Sequence, residues 1–356
     1  MNIPAPREVD AAWLTEQLQR AGYGDTEVAS FTSEQIGTGQ IGQCHRYRLA
    51  YKSRDPGVPD TLVGKFPSDD EVSRATAVTL RNYYIEVRFY QQLAPNLSIR
   101  TPRCYFAEII DEGPEFALLL EDLAPARQGD QIGGCDAVVA QQAALALVGL
   151  QAPYWCDEGL REFDWLNPAP DDTGLNLVDL YRHTLPGFTE RFGELLSAEQ
   201  LELFNALGQA ESPYLFQPPE RWFCLEHGDY RLDNMLIDDR GDSPGIAVVD
   251  WQTYRIGKPL NDVAYAIGAG MLPEHRREAE ADIVRDYHAA LCEAGVQDMD
   301  WEDCWREYRA ATLSGFPITV IASVMAGRTE RGDAMFHAMA DRHSRHALDH
   351  DAAEFL

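Results

Sequence analysis

A short stretch crowded with polar side chains, HGDYRLDN at residues 227–234, constrains this chain more than any other segment. An apolar run, IAVV at residues 246–249, follows soon after and ends abruptly on Asp250. Aspartate, asparagine and glycine are common in turns, so a polar turn between two strands would explain the first stretch alone. A turn does not explain why an aspartate ends the next apolar run. The two segments together therefore suggest a functional site.

The spacing within this stretch fits H-x-D-x-x-x-x-N, the pattern of a kinase catalytic loop. In such a loop Asp229 would align an acceptor hydroxyl and accept its proton as the new bond forms. Asn234 would offer its side-chain oxygen to Mg²⁺, and Asp250 would be the main metal ligand. Mg²⁺ prefers one or two carboxylates together with phosphate oxygens and water, so this set is sufficient. His227 is expected to hydrogen-bond backbone around the loop.

A glycine-rich segment near the N-terminus, residues 36–42, fits G-x-G-x-x-G with Gly37, Gly39 and Gly42. Taken alone this pattern is weak, and a glycine-bearing hairpin turn is its simplest explanation. A dinucleotide-binding fingerprint should open a helix, whereas the residues after Gly42 alternate in polarity as a strand does. That setting is typical of a kinase glycine-rich loop, which covers the phosphates of ATP.

Two charged residues lie in apolar surroundings between these motifs. Lys65 stands in the short strand TLVGKF, and a strand lysine of this kind grips the nucleotide phosphates in kinases. The alternative is a lysine that extends to the surface. Glu86 stands in a predicted helix among large apolar residues, where an unpaired buried charge is expensive. Lys65 would supply its partner, but Glu86 could equally face solvent and pair with Arg88, and the spacing does not decide.

The order of these features along the chain favours a kinase over five separate coincidences. A glycine loop, a strand lysine, a helical glutamate, an Asp/Asn loop and a second aspartate follow one another as a kinase requires. A protein kinase is less favoured, because no A-P-E segment and no evident activation loop follow Asp250.

The hydrophobic patterning predicts an α+β protein with two lobes. Residues 8–21 and about 71–94 have helical spacing, and three strands and a hairpin turning at residues 111–114 complete a β-rich N-lobe. After Leu123 the pattern is mostly helical, with Asp136 as a helix N-cap. We therefore expect an N-terminal lobe at residues 1–120 and a larger helical C-terminal lobe at residues 121–356.

The charge of the chain limits its partners. Thirty Lys and Arg residues against 58 Asp and Glu residues give a net charge of −28, which disfavours nucleic acid and anionic membranes. Seven cysteines without a C-x-x-C pair, and an N-terminus without an apolar signal region, predict a cytoplasmic protein with reduced thiols. No obligate protein partner is evident, and an anionic ligand such as ATP would need local cations.

The segments LEHGDYRLDNMLID and VVDWQTYRIGKPLNDVAYAIG resemble the aminoglycoside phosphotransferase and choline kinase superfamily. The segments DWQ, EVRFYQQL and LLLEDLAPARQGDQ are similar to its ecdysteroid-kinase-like (CHK-type) branch. The resemblance runs from about residue 31 to the end of the chain. It is specific for the superfamily and for no single substrate.

This resemblance implies a two-lobed protein-kinase-like fold. It also implies ATP and Mg²⁺ as cofactors, with Asp229 as catalytic base and Asn234 and Asp250 as metal ligands. It implies that Lys65 and Glu86 form the phosphate-gripping pair. The segment Leu119–Leu123, including Glu121, would be the hinge that meets adenine. Asp262 would cap a helix and brace the active-site loop, which is a structural role.

The acceptor is expected to be a small-molecule alcohol, and a hydrophobic or amphipathic one is favoured. This expectation rests on a group of aromatic residues ahead of the catalytic loop, most of which should be core: Tyr154, Trp155, Phe163, Trp165, Tyr181 and Phe188. An aminoglycoside-type antibiotic phosphotransferase and a non-catalytic nucleotide-binding pseudokinase remain alternatives. Arg231 and Arg255 could touch acceptor or phosphate, and surface ion pairs explain them equally well.

Overall fold

Alternating strands near the N-terminus build a five-stranded antiparallel sheet of order β1-β2-β3-β5-β4. The computed structural model describes residues 3–37, 41–166 and 177–356, and the chain divides into two compact units. The N-terminal unit is Met1–Asn96, Thr101–Pro125 and Asp250–Thr253, and the C-terminal unit is Leu97–Arg100, Ala126–Val249 and Tyr254–Leu356. The strands of the sheet are β1 Glu27–Ile36, β2 Gly42–Ser53, β3 Thr61–Pro67, β4 Cys104–Ile109 and β5 Phe116–Glu121.

One face of this sheet packs on the first helix, α1 Ala11–Arg20, and forms the core of the unit. Asp10 caps α1 by accepting the amide of Trp13 at 2.7 Å. Leu14 and Leu18 of α1 belong to the same buried cluster as the inward side chains of the strands, which include Tyr47, Leu62, Phe66 and Leu119. The predicted strands and hairpin are confirmed.

The helix predicted over residues 71–94 is broken, so that prediction was wrong in one respect. The chain forms α2 Glu71–Thr79, α3 Asn82–Arg88 and a π-helical turn Phe89–Leu93. Arg81 has a left-handed backbone conformation (φ 58°), which ends the helical path before α3 begins. Its guanidinium pairs with Glu112 at 2.8 and 3.1 Å, a tertiary contact that helical periodicity cannot show.

Helices dominate the C-terminal unit, as the sequence predicted. They are α4 Ala137–Gln151, α5 Leu177–Phe192, α6 Ala198–Gln209, α7 Leu260–Gly270, α8 Pro273–Glu293, α9 Trp301–Ala311, α10 Gly315–Met325 and α11 Glu330–Asp349. Asp136 caps α4 by accepting the amide of Val139 at 2.9 Å, as predicted. Their core includes Tyr181, Phe188 and Phe204. Within the described ranges, no helix combines the length and apolar character needed to cross a membrane.

Short strands carry the polar motifs of this unit. The strands are β6 Arg127–Gln128, β7 Cys224–Glu226, β8 Met235–Asp238, β9 Gly245–Val248 and β10 Arg255–Gly257. A small sheet has the order β6-β8-β9, and β7 pairs antiparallel with β10. The stretch at residues 227–234 therefore leaves β7 and enters β8, and β9 leads toward Asp250.

Candidate active site

Lys65 is a buried cation on β3, and it has carboxylates on two sides. Its Nζ lies 2.8 Å from Oε1 and 2.7 Å from Oε2 of Glu86, and 2.8 Å from Oδ1 of Asp250. Burial by itself would lower the pKa of Lys65, but the two carboxylates outweigh it and raise that pKa. The sequence left the partner of Glu86 open, and the structure assigns Lys65.

The direction of the Lys65 side chain follows from its position in β3. The neighbours Gly64 and Phe66 face the core, so the period of two directs Lys65 to the opposite face. A Cβ on Gly64 would lie 2.8 Å from the ring of Tyr47 and 2.6 Å from the ring of Phe66. Only glycine fits at this position. Because Gly64 has no side chain, the rings of Tyr47 and Phe66 can pack on the backbone of β3 next to Lys65.

Glu86 reaches Lys65 from α3 and is almost completely buried, with 1% of its surface exposed. Burial raises the pKa of Glu86, and the charge of Lys65 opposes that rise. Arg88, the alternative partner, donates instead to Gln91 at 3.0 Å and lies over the ring of Tyr84.

The segment Asp250–Thr253 is held against α3 in the same unit. Asn82 donates its side-chain amide to the carbonyl of Gln252 at 3.0 Å, and Phe89 stacks on Trp251 with ring centroids 4.0 Å apart. Trp251 also donates its indole N–H to Thr101 at 2.9 Å. These contacts fix the segment and so position the Asp250 carboxylate on Lys65.

Asp250 itself has a left-handed backbone conformation (φ 68°), which aspartate tolerates better than most residues. Its side chain is 39% exposed, although its Oδ1 contacts Lys65. Two carboxylates around one lysine leave a surplus negative charge at this position, which suits a divalent cation. The carboxylate oxygen of Asp250, two residues after the end of β9, therefore fits the predicted magnesium ligand.

The glycine segment is only partly described. Gly37 has φ +74°, a conformation that favours glycine. A Cβ on Gly42 would lie 3.1 Å from the carbonyl oxygen of Phe66, so β2 and β3 approach closely beside Lys65. Gly39 lies outside the described residues.

The predicted hinge residues lie at the end of β5 and in the loop after it. Glu121 ends that strand, and its carboxylate accepts the amide of Arg103 at 3.0 Å. Leu123 follows in the loop and is partly exposed. The backbone amide of Glu121 also donates to the carbonyl of Arg103 at 2.8 Å, so both contacts hold the end of β5 on Arg103. The contact with adenine stays a prediction.

In the C-terminal unit, three side chains converge on Asp229. Tyr265 donates its hydroxyl to Oδ1 at 2.9 Å, Arg231 lies with Nε 3.0 Å from both carboxylate oxygens, and Asn234 donates Nδ2 to Oδ2 at 2.9 Å. The same Nδ2 of Asn234 donates to the carbonyl of Asp229 at 2.9 Å. Because Asn234 uses its donor group on Asp229, its carbonyl oxygen is the atom it offers to a metal ion.

The backbone ahead of Asp229 is braced by a buried carboxylate. Asp262 accepts the amides of His227 at 2.6 Å and Gly228 at 3.0 Å, and burial raises the pKa of Asp262 to about 8. The ring Nε2 of His227 lies 3.0 Å from the carbonyl of Val249. Both bracing roles are confirmed, but Pro259 rather than Asp262 occupies the N-cap of α7 and makes no side-chain cap bond.

Asp233 had no role in the sequence interpretation, and the structure gives it one. Arg231 reaches its Oδ2 at 3.1 Å, and Arg331 donates to both of its oxygens at 2.9 and 3.0 Å. Arg231 thus bridges Asp229 and Asp233, and Arg331 of α11 anchors the far end. Sequence could have indicated Tyr265, because it follows Asp262 by one helical turn, but nothing local indicated Arg331.

The six aromatic residues that the sequence suggested for the acceptor site differ in burial, and only some of them lie in the core. Trp165, Tyr181 and Phe188 are buried, and Tyr181 donates its hydroxyl to the carbonyl of Phe204 at 2.9 Å. The other three residues of this group are only partly buried, namely Tyr154, Trp155 and Phe163. Half of the group is therefore core, whereas the sequence predicted that most of it would be.

Comparison with known proteins connects this arrangement to a family. Residues 72–308 match the model of the phosphotransferase enzyme family. Acyl-CoA dehydrogenase family member 10 of Mus musculus is 30% identical over 132 residues, which are 34% of this chain and 12% of that protein. The chain therefore spans about one eighth of the length of that relative.

Solved structures share the fold at low sequence identity. A candidate aminoglycoside phosphotransferase from Ralstonia eutropha JMP134 is 17% identical with a TM-score of 0.51, over 94% of this chain and 98% of that one. Choline kinase from Cryptosporidium parvum Iowa II is 11% identical with a TM-score of 0.51, over 90% and 89% of the two chains. These likenesses show the fold, and the predicted two-lobed, kinase-like α+β class is confirmed.

Proposed function

The chain belongs to the phosphotransferase enzyme family, as the resemblance to aminoglycoside phosphotransferases and choline kinases predicted, and from this premise we propose that it is a small-molecule kinase. The donor is ATP with Mg²⁺, and the acceptor is a hydroxyl group of a hydrophobic or amphipathic alcohol. The ecdysteroid-kinase-like branch remains a prediction.

One observation carries this proposal: the contact of the buried Lys65 with the buried Glu86 and the partly exposed Asp250. In kinases, a helical glutamate pairs with a strand lysine and orients it toward the phosphates of the nucleotide. An ion pair this deeply buried contributes little to stability, because desolvation offsets the attraction. Because stability does not explain this ion pair, its presence in a segment of fixed conformation supports a functional role.

The remaining roles follow from the chemistry of the side chains. Asp229 accepts the proton of the acceptor hydroxyl, whose oxygen attacks the γ-phosphorus while the bond from that phosphorus to ADP breaks. Arg231 and Tyr265 hold the Asp229 carboxylate in place. Asn234 and Asp250 would hold Mg²⁺, which would neutralise phosphate charge. Gly37, Gly39 and Gly42 cover the phosphates, and the backbone at Glu121 and Leu123 meets adenine.

Incubation of the purified chain with γ-labelled ATP, Mg²⁺ and a library of alcohols tests the proposal. Labelled phosphate should appear on an alcohol. Omission of Mg²⁺ should abolish the transfer, and replacement of Asp229 by Asn should slow it by ~10²-fold or more. ATP binding without transfer to any alcohol would favour the non-catalytic pseudokinase instead. Transfer confined to aminoglycosides in the same library would favour the antibiotic phosphotransferase.

A further inference from the structure

A cavity of about 370 Å³ lies in the C-terminal unit, and none of the proposed catalytic, metal-binding or nucleotide-binding side chains lines it. This volume is within the range of small-molecule sites. Apolar side chains of three segments form much of its wall, among them Phe216, Pro317 and Ile318. The aromatic residues that the sequence suggested for an acceptor site are absent from its described lining.

Charged side chains are unevenly represented in this wall. Arg255 and Lys258 line the cavity, and Glu226 is the one carboxylate among its described lining residues. Glu226 is 2% exposed and already bound, because it pairs with Arg255 and accepts Asn261 Nδ2 at 3.2 Å. Two cations therefore stand against one carboxylate among the lining residues, although the whole chain has a net charge of −28. Glu307 and Glu220 also act on Lys258 from outside the wall.

The two cations differ in their settings. Arg255 is 42% exposed at its side chain, and its guanidinium has more donors than the Glu226 contact uses. Lys258 is buried, donates to the carbonyl of Tyr214 and lies 3.7 Å from the centre of the Tyr214 ring. Burial lowers the pKa of Lys258 to about 8. An anion bound beside Lys258 would pair with the ammonium group and stabilise its charged form.

The cavity wall is continuous with the backbone that carries Asp229. Glu226 directly precedes His227, and Asn261 directly precedes Asp262, which accepts the amides of His227 and Gly228. Three residues of extended chain span at most about 11 Å, so the backbone of Asp229 lies within that distance of the backbone of Glu226. An acceptor molecule in the cavity would have to extend over about this distance to present a hydroxyl to Asp229.

We propose that this cavity binds the acceptor as a hydroxy acid, with its carboxylate at Arg255 and Lys258 and its apolar chain against the wall. This inference rests on the proposed kinase function. The hydroxyl at the other end of the molecule loses its proton to Asp229, its oxygen bonds to the γ-phosphorus of ATP, and ADP leaves. The product is a phosphate monoester with an unchanged carboxylate. A polycationic acceptor is disfavoured, because Glu226 is already neutralised by Arg255.

Three probes of equal chain length test the charge preference: ω-hydroxydecanoate, its methyl ester and ω-aminodecanol. Binding of each to the Asp229→Asn protein is measured by calorimetry, so this result does not depend on turnover. We expect the acid to bind at least ~10-fold more tightly than the ester, as one charge-assisted hydrogen bond would provide. Equal affinity for acid and ester, or a preference for the amine, overturns the proposal.

Variants of the cavity residues test whether Arg255 and Lys258 cause the preference for the acid over the ester. The double variant Glu226→Gln with Arg255→Gln removes a charge pair without leaving a buried carboxylate unpaired, and Lys258→Gln removes the second cation. Each should weaken acid binding by ~5-fold or more and leave ester binding unchanged. Lys52→Gln, an exposed lysine of the N-terminal unit, is the matched control and should change neither affinity. Acid binding that survives both cavity variants contradicts the proposed site.

Turnover separates the two levels of the proposal. If the wild-type chain phosphorylates neutral alcohols as well as acids, the kinase function stands and the hydroxy acid inference fails. If the acid binds but no alcohol is phosphorylated in the presence of Mg²⁺ and ATP, the cavity assignment stands and the kinase function fails.

Discussion

The ammonium nitrogen of Lys65 lies 2.8 Å from Oδ1 of Asp250, although the two residues are 185 positions apart in the chain. Glu86 contacts the same nitrogen, so two carboxylates share one buried cation. Neither carboxylate is neutralised fully by this arrangement. The three side chains together carry a charge of −1, so a divalent cation at Asp250 would make the group net positive, which favours phosphate.

Replacement of Lys65 by Met should weaken ATP binding and lower kcat/KM by ~100-fold or more, because phosphate charge loses its partner. The variant should also lose stability, on the order of 3 kcal/mol, since Glu86 would remain buried without a cation. Calorimetry with ATP and denaturant unfolding measure the two effects. Lys52→Met removes an exposed strand lysine and should change neither. Normal ATP affinity in Lys65→Met would contradict the assignment.

Asp229→Asn should retain ATP binding and lower kcat by ~10²-fold or more, because an amide cannot accept the proton of the hydroxyl. Phosphate transfer and ATP affinity are measured on the same preparation. Asp239→Asn is the control, since Asp239 is exposed and pairs with Arg127 outside the catalytic loop. Near-normal turnover of Asp229→Asn would refute its role as base.

Tyr265→Phe should lower kcat by ~10-fold with little change in ATP affinity, because Asp229 loses the hydroxyl that fixes its orientation. Tyr181→Phe also removes a buried hydroxyl that makes one hydrogen bond. Both variants should lose about 1 kcal/mol of stability, but only Tyr265→Phe should lose turnover. Equal kinetic effects would mean that Tyr265 acts through folding alone.

Gly64→Ala should destabilise the chain by ~2 kcal/mol or more, because the new methyl group would collide with the rings of Tyr47 and Phe66. The same substitution at Gly24 meets no atom within 4 Å and should be neutral or slightly stabilising. Thermal or denaturant unfolding compares the two. A stable Gly64→Ala protein would show that the rings can move apart without cost.

Stability should fall as the pH decreases from about 6.5 to about 4, in part because of His343. Its ring is fully buried, neither ring nitrogen has a hydrogen-bond partner among the described residues, and burial lowers the pKa of His343 to about 3. The unfolded chain binds a proton near pH 6.5 and the folded chain does not, so acid favours unfolding.

His343→Leu removes this proton difference and should make the fall in unfolding free energy shallower, by at most ~1.4 kcal/mol per pH unit. His346, whose pKa burial lowers to about 4, should keep part of the slope. Denaturant unfolding at several pH values measures the slope. The exposed His275 provides the control substitution, His275→Leu, and an unaltered slope in His343→Leu would contradict the prediction.

Much of the local structure was predictable because it depends on neighbouring residues. The alternation around Lys65 and the hairpin at residues 111–114 predicted strands that the structure contains. Asp136 caps α4 as its position before an apolar run predicted. Helical periodicity could not reveal the break at Arg81, because the ion pair with Glu112 that accompanies it comes from a different element.

By itself the sequence determined which chemical groups are available and their order: Lys65, Glu86, Asp229, Asn234 and Asp250. Tertiary structure decided which groups meet. It paired Glu86 with Lys65 rather than with Arg88, and it placed the hydroxyl of Tyr265 where it donates to Asp229. The reason is physical: periodicity and capping act over a few residues, whereas a buried charge takes its partner from whichever element the packing of the core brings beside it.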